Sequence, residues 1–362
     1  MFYYFLYPLG EEVALFNVFK YITFRAVGAS VTAFLLSLVL GPLVIRWLSR
    51  MGVVNATRRE YADKIHSFYA SKESVPTMGG ILIVGSILAA NLLWGNLGNH
   101  FLILTLSVVV WFGAIGFIDD WLKLKWKNTR GLPGTVKLSG QILLSFFIGA
   151  VLYTNPNFSK ALYIPFLKNV MLPLGIWFIP FILLVIVGSS NALNLTDGLD
   201  GLAIGCLAFS AGAFSILTYL AGRADFARYL GIPFVPGAGE LAVFCASLVG
   251  AAVGFLWYNC YPANLMMGDI GSLPLGGAFG IVAILIKNEL VLLMVGGIFV
   301  WEALSVMIQV FSFRVFGKRV FLMSPFHHHL QLKGWPESKV TIRLWIVAFI
   351  LALVGLSTLK LR

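Results

Sequence analysis

Long stretches without a single charged side chain govern what this chain can become. No Asp, Glu, Lys or Arg occurs from Ala26 to Ile45, Ser74 to Ile118, Leu138 to Ser159, Asn169 to Thr196, Leu202 to Gly222, Leu241 to Gly268, Ile270 to Ile286 or Leu344 to Leu359. A helix needs about 20 apolar residues to cross a bilayer, and most of these runs supply them. The run from Ser74 is long enough for two helices, with Gly95-Asn96-Leu97-Gly98-Asn99-His100 as the turn between them. Leu290 to Phe313 adds another, interrupted once by Glu302. The expectation is an all-α polytopic membrane protein with ten transmembrane helices, and an even count puts both termini on one side of the membrane. Composition agrees, because 59% hydrophobic and 11% charged residues cannot coat a water-soluble particle, which carries about 25% charge. Soluble, disordered and collagen-like classes are excluded.

The charges that remain are unevenly placed. On one side of a ten-span path lie Arg46, Arg50, Arg58, Arg59, Lys64 and Lys72; Lys123, Lys125, Lys127, Arg130 and Lys137; and Arg314, Lys318, Arg319, Lys333, Lys339 and Arg343, which make 17 of the 26 basic residues. Loops rich in Lys and Arg stay in the cytoplasm, so both termini are expected on the periplasmic or outer side. The chain then reads as a single integral membrane domain, 1–362, with cytoplasmic loops at about 48–76, 119–137, 190–200, 259–270 and 314–340. The start, MFYYFLYPLGEE, has neither a basic n-region nor a small-residue cleavage site and reads as an aromatic interfacial segment, not a removable signal. Cys206, Cys245 and Cys260 are odd in number and imply no disulfide framework. The net charge of +11 would suit nucleic acid, anionic lipid or an anionic substrate.

Against so empty a background the aspartates stand out. Five of the seven, Asp119, Asp120, Asp197, Asp200 and Asp269, fall at the expected cytoplasmic ends of helices. Clustered carboxylates repel one another, and a divalent cation with oxygen ligands offsets that repulsion, Mg²⁺ being the natural choice beside phosphates. Asp119 and Asp120 are adjacent, so on a helix they diverge by about 100° and take separate roles; Asp119 and Lys123 also suit an ordinary i,i+4 salt bridge. Within Asn191-Ala-Leu-Asn194-Leu-Thr196-Asp197-Gly-Leu-Asp200-Gly201, the two aspartates share a helical face, with Asn191 and Asn194 on the approach. A helix cap at Thr196 or Asp197 is compatible with a phosphate site there. Gly268 and Gly271 leave the backbone around Asp269 open to an ion or phosphate, although a plain loop with an Asp cap reads the same way. His327, His328 and His329 are consecutive, so their rings point apart and fit phosphate or hydroxyl contacts better than one zinc ion. Glu302 lies near the middle of its apolar run, either paired inside the bundle or lining a lipid groove.

Taken together, Pro76-Thr77-Met78-Gly79-Gly80, Asp119-Asp120, the Asn191–Gly201 segment, Met267-Gly268-Asp269, and the three histidines followed by Leu332-Lys333-Gly334-Trp335-Pro336 resemble, in order and over nearly the whole chain, the phospho-N-acetylmuramoyl-pentapeptide transferase family. The resemblance implies transfer of phospho-MurNAc-pentapeptide from UDP-MurNAc-pentapeptide to undecaprenyl phosphate, with release of UMP and formation of lipid I, the first membrane step of peptidoglycan synthesis. It implies Mg²⁺ held chiefly by Asp269, with Asp119, Asp120, Asp200 and His328 in the catalytic group. Substrate contacts would come from Lys72, Lys137, Asn191, Asn194, Asp197, Asn259, Met266, His327 and His329, with Asp197 and Asn259 at the uridine. It also implies a homodimer in the bacterial inner membrane, with the active site on the cytoplasmic face and no nucleic-acid partner. Met266 stands where relatives commonly carry a Phe that stacks on uracil, and Gln331 where a Glu often follows the histidines. Because the acceptor is itself a phosphate, a carboxylate that completes its deprotonation is expected, and Asp119 is assigned that role. A related UDP-GlcNAc polyprenyl-phosphate GlcNAc-1-phosphate transferase shares the aspartates. A secondary transporter would place its carboxylates near the midplane, and an intramembrane prenyltransferase would repeat its aspartate motif.

Overall fold

The computed structural model describes residues 1–53, 75–126, 131–167 and 170–360. Among them the α-helices are α1 Phe2–Phe5, α2 Ile22–Arg50, α3 Gly80–Trp94, α4 His100–Lys125, α5 Gly134–Thr154, α6 Phe178–Thr196, α7 Leu202–Ala221, α8 Ala224–Leu230, α9 Gly239–Asn259, α10 Asp269–Leu285, α11 Glu289–Val295, α12 Gly297–Phe316, α13 Phe326–Leu332 and α14 Glu337–Ser357. Eight are long and apolar enough to cross a membrane: α2, α4, α5, α6 with the turn before it, α7, α9, α12 and α14. The chain is a largely helical, polytopic membrane protein.

Helices α3 and α10 are apolar but shorter, at 15 and 17 residues, or about 22 and 26 Å against a hydrocarbon core of about 30 Å. For α10 the reason is its position. Every residue from Ile270 to Leu285 is buried, with α4 and α6 packed along it and α3 and α7 closing the ring. A helix surrounded by protein is not matched to lipid thickness. Apolar helices gain little from burial against one another in lipid, so packing and polar contacts hold them. Asn91 donates to Ser247 Oγ at 2.8 Å, Ser37 Oγ to Ser86 Oγ at 3.0 Å, and Ser190 Oγ to the Leu273 carbonyl at 2.9 Å.

Two stretches depart from the charge-gap reading. The run Asn169–Thr196 is not one helix: Met171–Pro173 forms β2, antiparallel to β1 Ala161–Tyr163 in register Leu162↔Leu172, and α6 starts only at Phe178. That run is longer than a span requires, and Pro173 cannot donate within a helix, so the surplus folds outside it. The apolar stretch after Glu289 breaks at Gly296-Gly297 into α11 and α12.

Met1 and Lys360, the outermost described residues, lie toward the end of the bundle opposite Asp269. Helix α3 starts where Gly80 N donates to the Met267 carbonyl at 2.8 Å, and it ends where the Met1 amine donates to the carbonyls of Leu92 and Leu93. Lys360 lies over the Tyr229 ring, beyond the far end of α7. That end is pinned by a buried bidentate pair, Arg25 Nη1 and Nη2 to Glu240 Oε2 and Oε1 at 2.8 and 2.5 Å.

Candidate active site

The last turns of α4 and the first turn of α10 are brought into contact by Gly116. A Cβ on that residue would stand 2.3 Å from the Asp269 carbonyl oxygen, so any side chain would push the two helices apart. Just before α10, Gly268 turns the chain at φ +74°, in the left-handed region. The result places Asp119 and Asp120 beside Asp269, with one oxygen of each lying within 4.8 Å of the others. Asp119 and Asp120 are 1% and 4% exposed.

Each carboxylate is held by fixed donors. Asp120 Oδ2 accepts the Ile270 N–H at 3.1 Å and so caps α10. Asp119 Oδ1 accepts the Leu132 N–H at 2.9 Å. Asp269 Oδ1 accepts from the Asn194 amide at 2.8 Å, and the same amide donates to Ser272 Oγ at 2.7 Å. Lys137 Nζ lies 2.5 Å from Asp269 Oδ2 and 3.2 Å from Asp119 Oδ1. Lys123 Nζ lies 2.5, 3.2 and 3.3 Å from Asp119, Asp120 and Asp269. The i,i+4 pair read from the sequence is therefore one edge of a larger ion network.

The other residues singled out from the sequence fall around this cluster. Asp197 ends α6, and burial together with the carboxylates of Asp269, Asp120 and Asp200 pushes its carboxyl up to about 8, against a hydrogen bond from the Gly268 backbone. Asp200 is buried outside the three-carboxylate group, where its Oδ2 accepts the Ala263 N–H at 3.0 Å. Asn259 accepts from the Gly201 N–H at 3.1 Å and donates to the Leu265 carbonyl at 2.8 Å. These two side chains tie the Asn191–Gly201 segment to the loop before Asp269. Asn191 turns into the bundle, donating to Gln141 Oε1 and the Val187 carbonyl, both at 2.8 Å. Met266 is half-buried, and its backbone pairs with Pro76 and Gly79 at 2.8 Å each, joining the Pro76–Gly80 motif to the site loop. Lys72 lies outside the described residues.

The three histidines take separate hydrogen-bonding neighbours, but the rings of His327 and His328 do not point apart as expected: their centroids are 4.2 Å from each other, edge to face. His327 is fully buried against Glu302, with its Nδ1 3.2 Å and its backbone N–H 3.3 Å from Glu302 Oε2. His328 Nδ1 lies 2.9 Å from Gln331 Oε1. His329 Nδ1 accepts the Leu322 N–H at 3.1 Å, and its ring packs on Phe321 and Phe326. Of the two readings of Glu302, the inward pairing is the one its surroundings favour, with Oε2 facing His327 and the residue fully buried. An apolar groove of about 310 Å³ does exist between α6, α10, α11 and α12, walled by Leu184, Gly188, Leu193, Gly276, Phe299 and neighbours, and Glu302 is not on its wall.

Sequence reasoning missed the grip of the last helix. Glu337, Thr341 and Trp345 share one face of α14; Glu337 Oε1 accepts the Asp200 N–H at 2.8 Å, Thr341 donates to the Asp200 carbonyl at 3.3 Å, and Trp345 to the Gly201 carbonyl at 3.1 Å. Their four-residue spacing was the only signal available. Lys123 was read as a partner of Asp119 alone.

Residues 101–287, which include all of α4 but its first residue, α10 and the three clustered carboxylates, match the Glycosyl transferase family 4 model. Over its full length the chain is 52% identical to the phospho-N-acetylmuramoyl-pentapeptide-transferase of Geobacter sp. (strain M21), with 100% of both chains covered. It is 50% and 51% identical to the proteins of the same name from Thermodesulfovibrio yellowstonii and Desulfotalea psychrophila, again with both chains fully covered. With identity of this level running from end to end, the chain belongs to the phospho-N-acetylmuramoyl-pentapeptide transferase family.

Proposed function

We propose that this chain moves phospho-N-acetylmuramoyl-pentapeptide from its UDP carrier to undecaprenyl phosphate, releasing UMP and forming lipid I. The observation that carries the reading is the placement of three carboxylates and two lysines at one end of the bundle, beside an apolar groove. Gly276 on the groove wall is seven residues along α10 from Asp269, about 10 Å. A polyprenyl phosphate lying in that groove would present its phosphate toward the cluster. Ten apolar helices among the described residues, with α3 and α10 included, and Met1 and Lys360 at the far end support a topology with the termini outside and the site at the cytoplasmic face of the inner membrane.

The donor set fits Mg²⁺. All ligand atoms are hard oxygens, and three carboxylates against two ammonium groups leave one negative charge over. Asp269, Asp119 and Asp120 would hold the ion, which would neutralise charge on the diphosphate. The protein's own part is electrostatic. Two anions must meet, and Lys137 with Lys123 offsets the repulsion and the charge growing on departing UMP. Asn194 orients Asp269 through Oδ1, leaving Oδ2 to Lys137 and Lys123. Asp119, the candidate base for the acceptor phosphate, has its oxygens on the Leu132 N–H and both lysines, which also suits it to hold the ion. Carboxylates bound in this way are weak nucleophiles, which favours direct attack by the lipid phosphate over a covalent phospho-enzyme. Asp197 and Asn259 are the candidate contacts for uridine, with Met266 next to the loop they hold, and His328, flanked by His327 and His329, is the candidate contact for the sugar phosphate.

The test supplies purified protein with polyprenyl phosphate, Mg²⁺ and either UDP-MurNAc-pentapeptide or UDP-GlcNAc, and measures UMP. Release with the first donor only is expected. Release with UDP-GlcNAc alone, or substrate uptake into vesicles without UMP, would overturn the reading.

A further inference from the structure

We propose that Lys123 is the resident counter-ion of the carboxylate cluster, standing where a divalent cation is held and transferring to the diphosphate when cation and nucleotide bind. The proposal rests on the metal and diphosphate reading above and goes on to what the chain itself must do for it.

The geometry is specific to this lysine. Its Nζ contacts one oxygen of Asp119, Asp120 and Asp269, at 2.5, 3.2 and 3.3 Å, whereas Lys137 reaches only Asp119 and Asp269. Mg²⁺ takes carboxylate oxygens at about 2.0–2.1 Å. An ion at that distance from the same three groups would overlap the Lys123 ammonium, so the two positive charges exclude one another. Lys123 has a way out: its side chain is 30% exposed and hangs on a flexible four-carbon stem, so it can turn outward while α4 stays fixed. Asp119 and Asp120 cannot follow, being held by the Leu132 and Ile270 N–H groups.

Without a cation, three carboxylates this close would repel one another. Lys123 keeps them assembled, which makes cation entry an exchange of charges instead of the building of a site. Displacing it weakens binding of the cation alone. A nucleoside diphosphate offers the displaced ammonium new oxygens and removes that penalty. Cation and nucleotide therefore tighten each other, and by linkage the factor is the same in both directions.

The test uses the full chain in lipid nanodiscs with Mn²⁺ as the probe, free Mn²⁺ being counted by electron paramagnetic resonance. Lys123→Met keeps the stem and removes the charge. It is expected to bind Mn²⁺ about ten-fold tighter than wild type without nucleotide, and UDP is expected to tighten Mn²⁺ about ten-fold on wild type but hardly on the variant. Equal or weaker Mn²⁺ binding by Lys123→Met overturns the proposal. Asp269→Asn separates the two levels: if it leaves Mn²⁺ affinity unchanged, the metal reading fails and this inference with it. If it abolishes binding while Lys123→Met is no tighter, only the role of the lysine fails. Lys123→Gln repeats the comparison should the Met variant not fold, and a wild-type Mn²⁺ affinity that UDP does not change is also decisive against it.

Discussion

Asp269 joins the Asn194 amide, both lysines, and the space shared with Asp119 and Asp120. Its replacement by Asn keeps the shape and the first turn of α10 but removes the charge on which a cation depends. Asp269→Asn is expected to lower turnover by about a thousand-fold or more, several kcal/mol of transition-state stabilisation, with the unfolding temperature little changed. Near-normal UMP release by this variant at low Mg²⁺ would remove Asp269 from the metal site. Asp197 gives a second expectation. Its carboxyl is pushed from the ordinary 3.8 up to about 8, so the folded state favours the neutral acid. The stability this provides is complete below about 4 and is lost as pH rises through 8. Metal-free protein should therefore melt at a falling temperature from pH 6 to 9, with a shallower slope for Asp197→Asn. Identical slopes would show that Asp197 titrates normally.

At the scale of elements, the site is made by short connections between helices that carry few chemical groups of their own. Helix α13 is held from below by one acid: Glu302 Oε2 meets both the His327 ring and its backbone N–H. Glu302→Ala leaves the buried His327 backbone N–H without its acceptor, at a cost of about 1–3 kcal/mol. Amide hydrogen exchange should accelerate in Phe326–Leu332 and not in α14; unchanged exchange there would mean that packing alone holds the histidine helix. Much of this arrangement was legible in the chain. The gaps between charges located the apolar helices, because a charge inside lipid is costly, and the scarcity of aspartates exposed the cluster. The ends of elements were not legible. An apolar run has a length but no marked stop, so the hairpin at Met171–Pro173 and the break at Gly296-Gly297 were absorbed into single spans. Nor could spacing separate Asp200 from the other acids. Whether a carboxylate joins a cluster or ties a loop, as Asp200 does through Ala263, is decided by contacts between residues far apart in sequence. The same holds for Glu302, where burial on an intramembrane helix fitted a lipid-facing role and an inward ion pair equally well.

Across the whole molecule, polar chemistry and lipid contact are divided along α10. Its first turn carries Asp269, its middle lines the apolar groove through Gly276, and its far end leads into α11, whose Glu289 and Leu292 complete the groove wall. This division means that the two substrates can be perturbed separately. Gly188 on α6 faces the groove, and a Cβ built there meets no atom within 4 Å. Gly188→Leu should fold normally, since nothing must shift to admit the first carbon and leucine favours a helix over glycine by roughly 0.5–1 kcal/mol. The added side chain occupies space the polyprenyl chain needs. The expected result is a KM for polyprenyl phosphate raised by about ten-fold or more, corresponding to about 1.4 kcal/mol of lost apolar contact, with the KM for the UDP donor unchanged. Steady-state kinetics with each substrate varied in turn measures both. A rise in both constants would place the groove in communication with the nucleotide site, and no rise in either would show that the lipid chain runs elsewhere on the bundle.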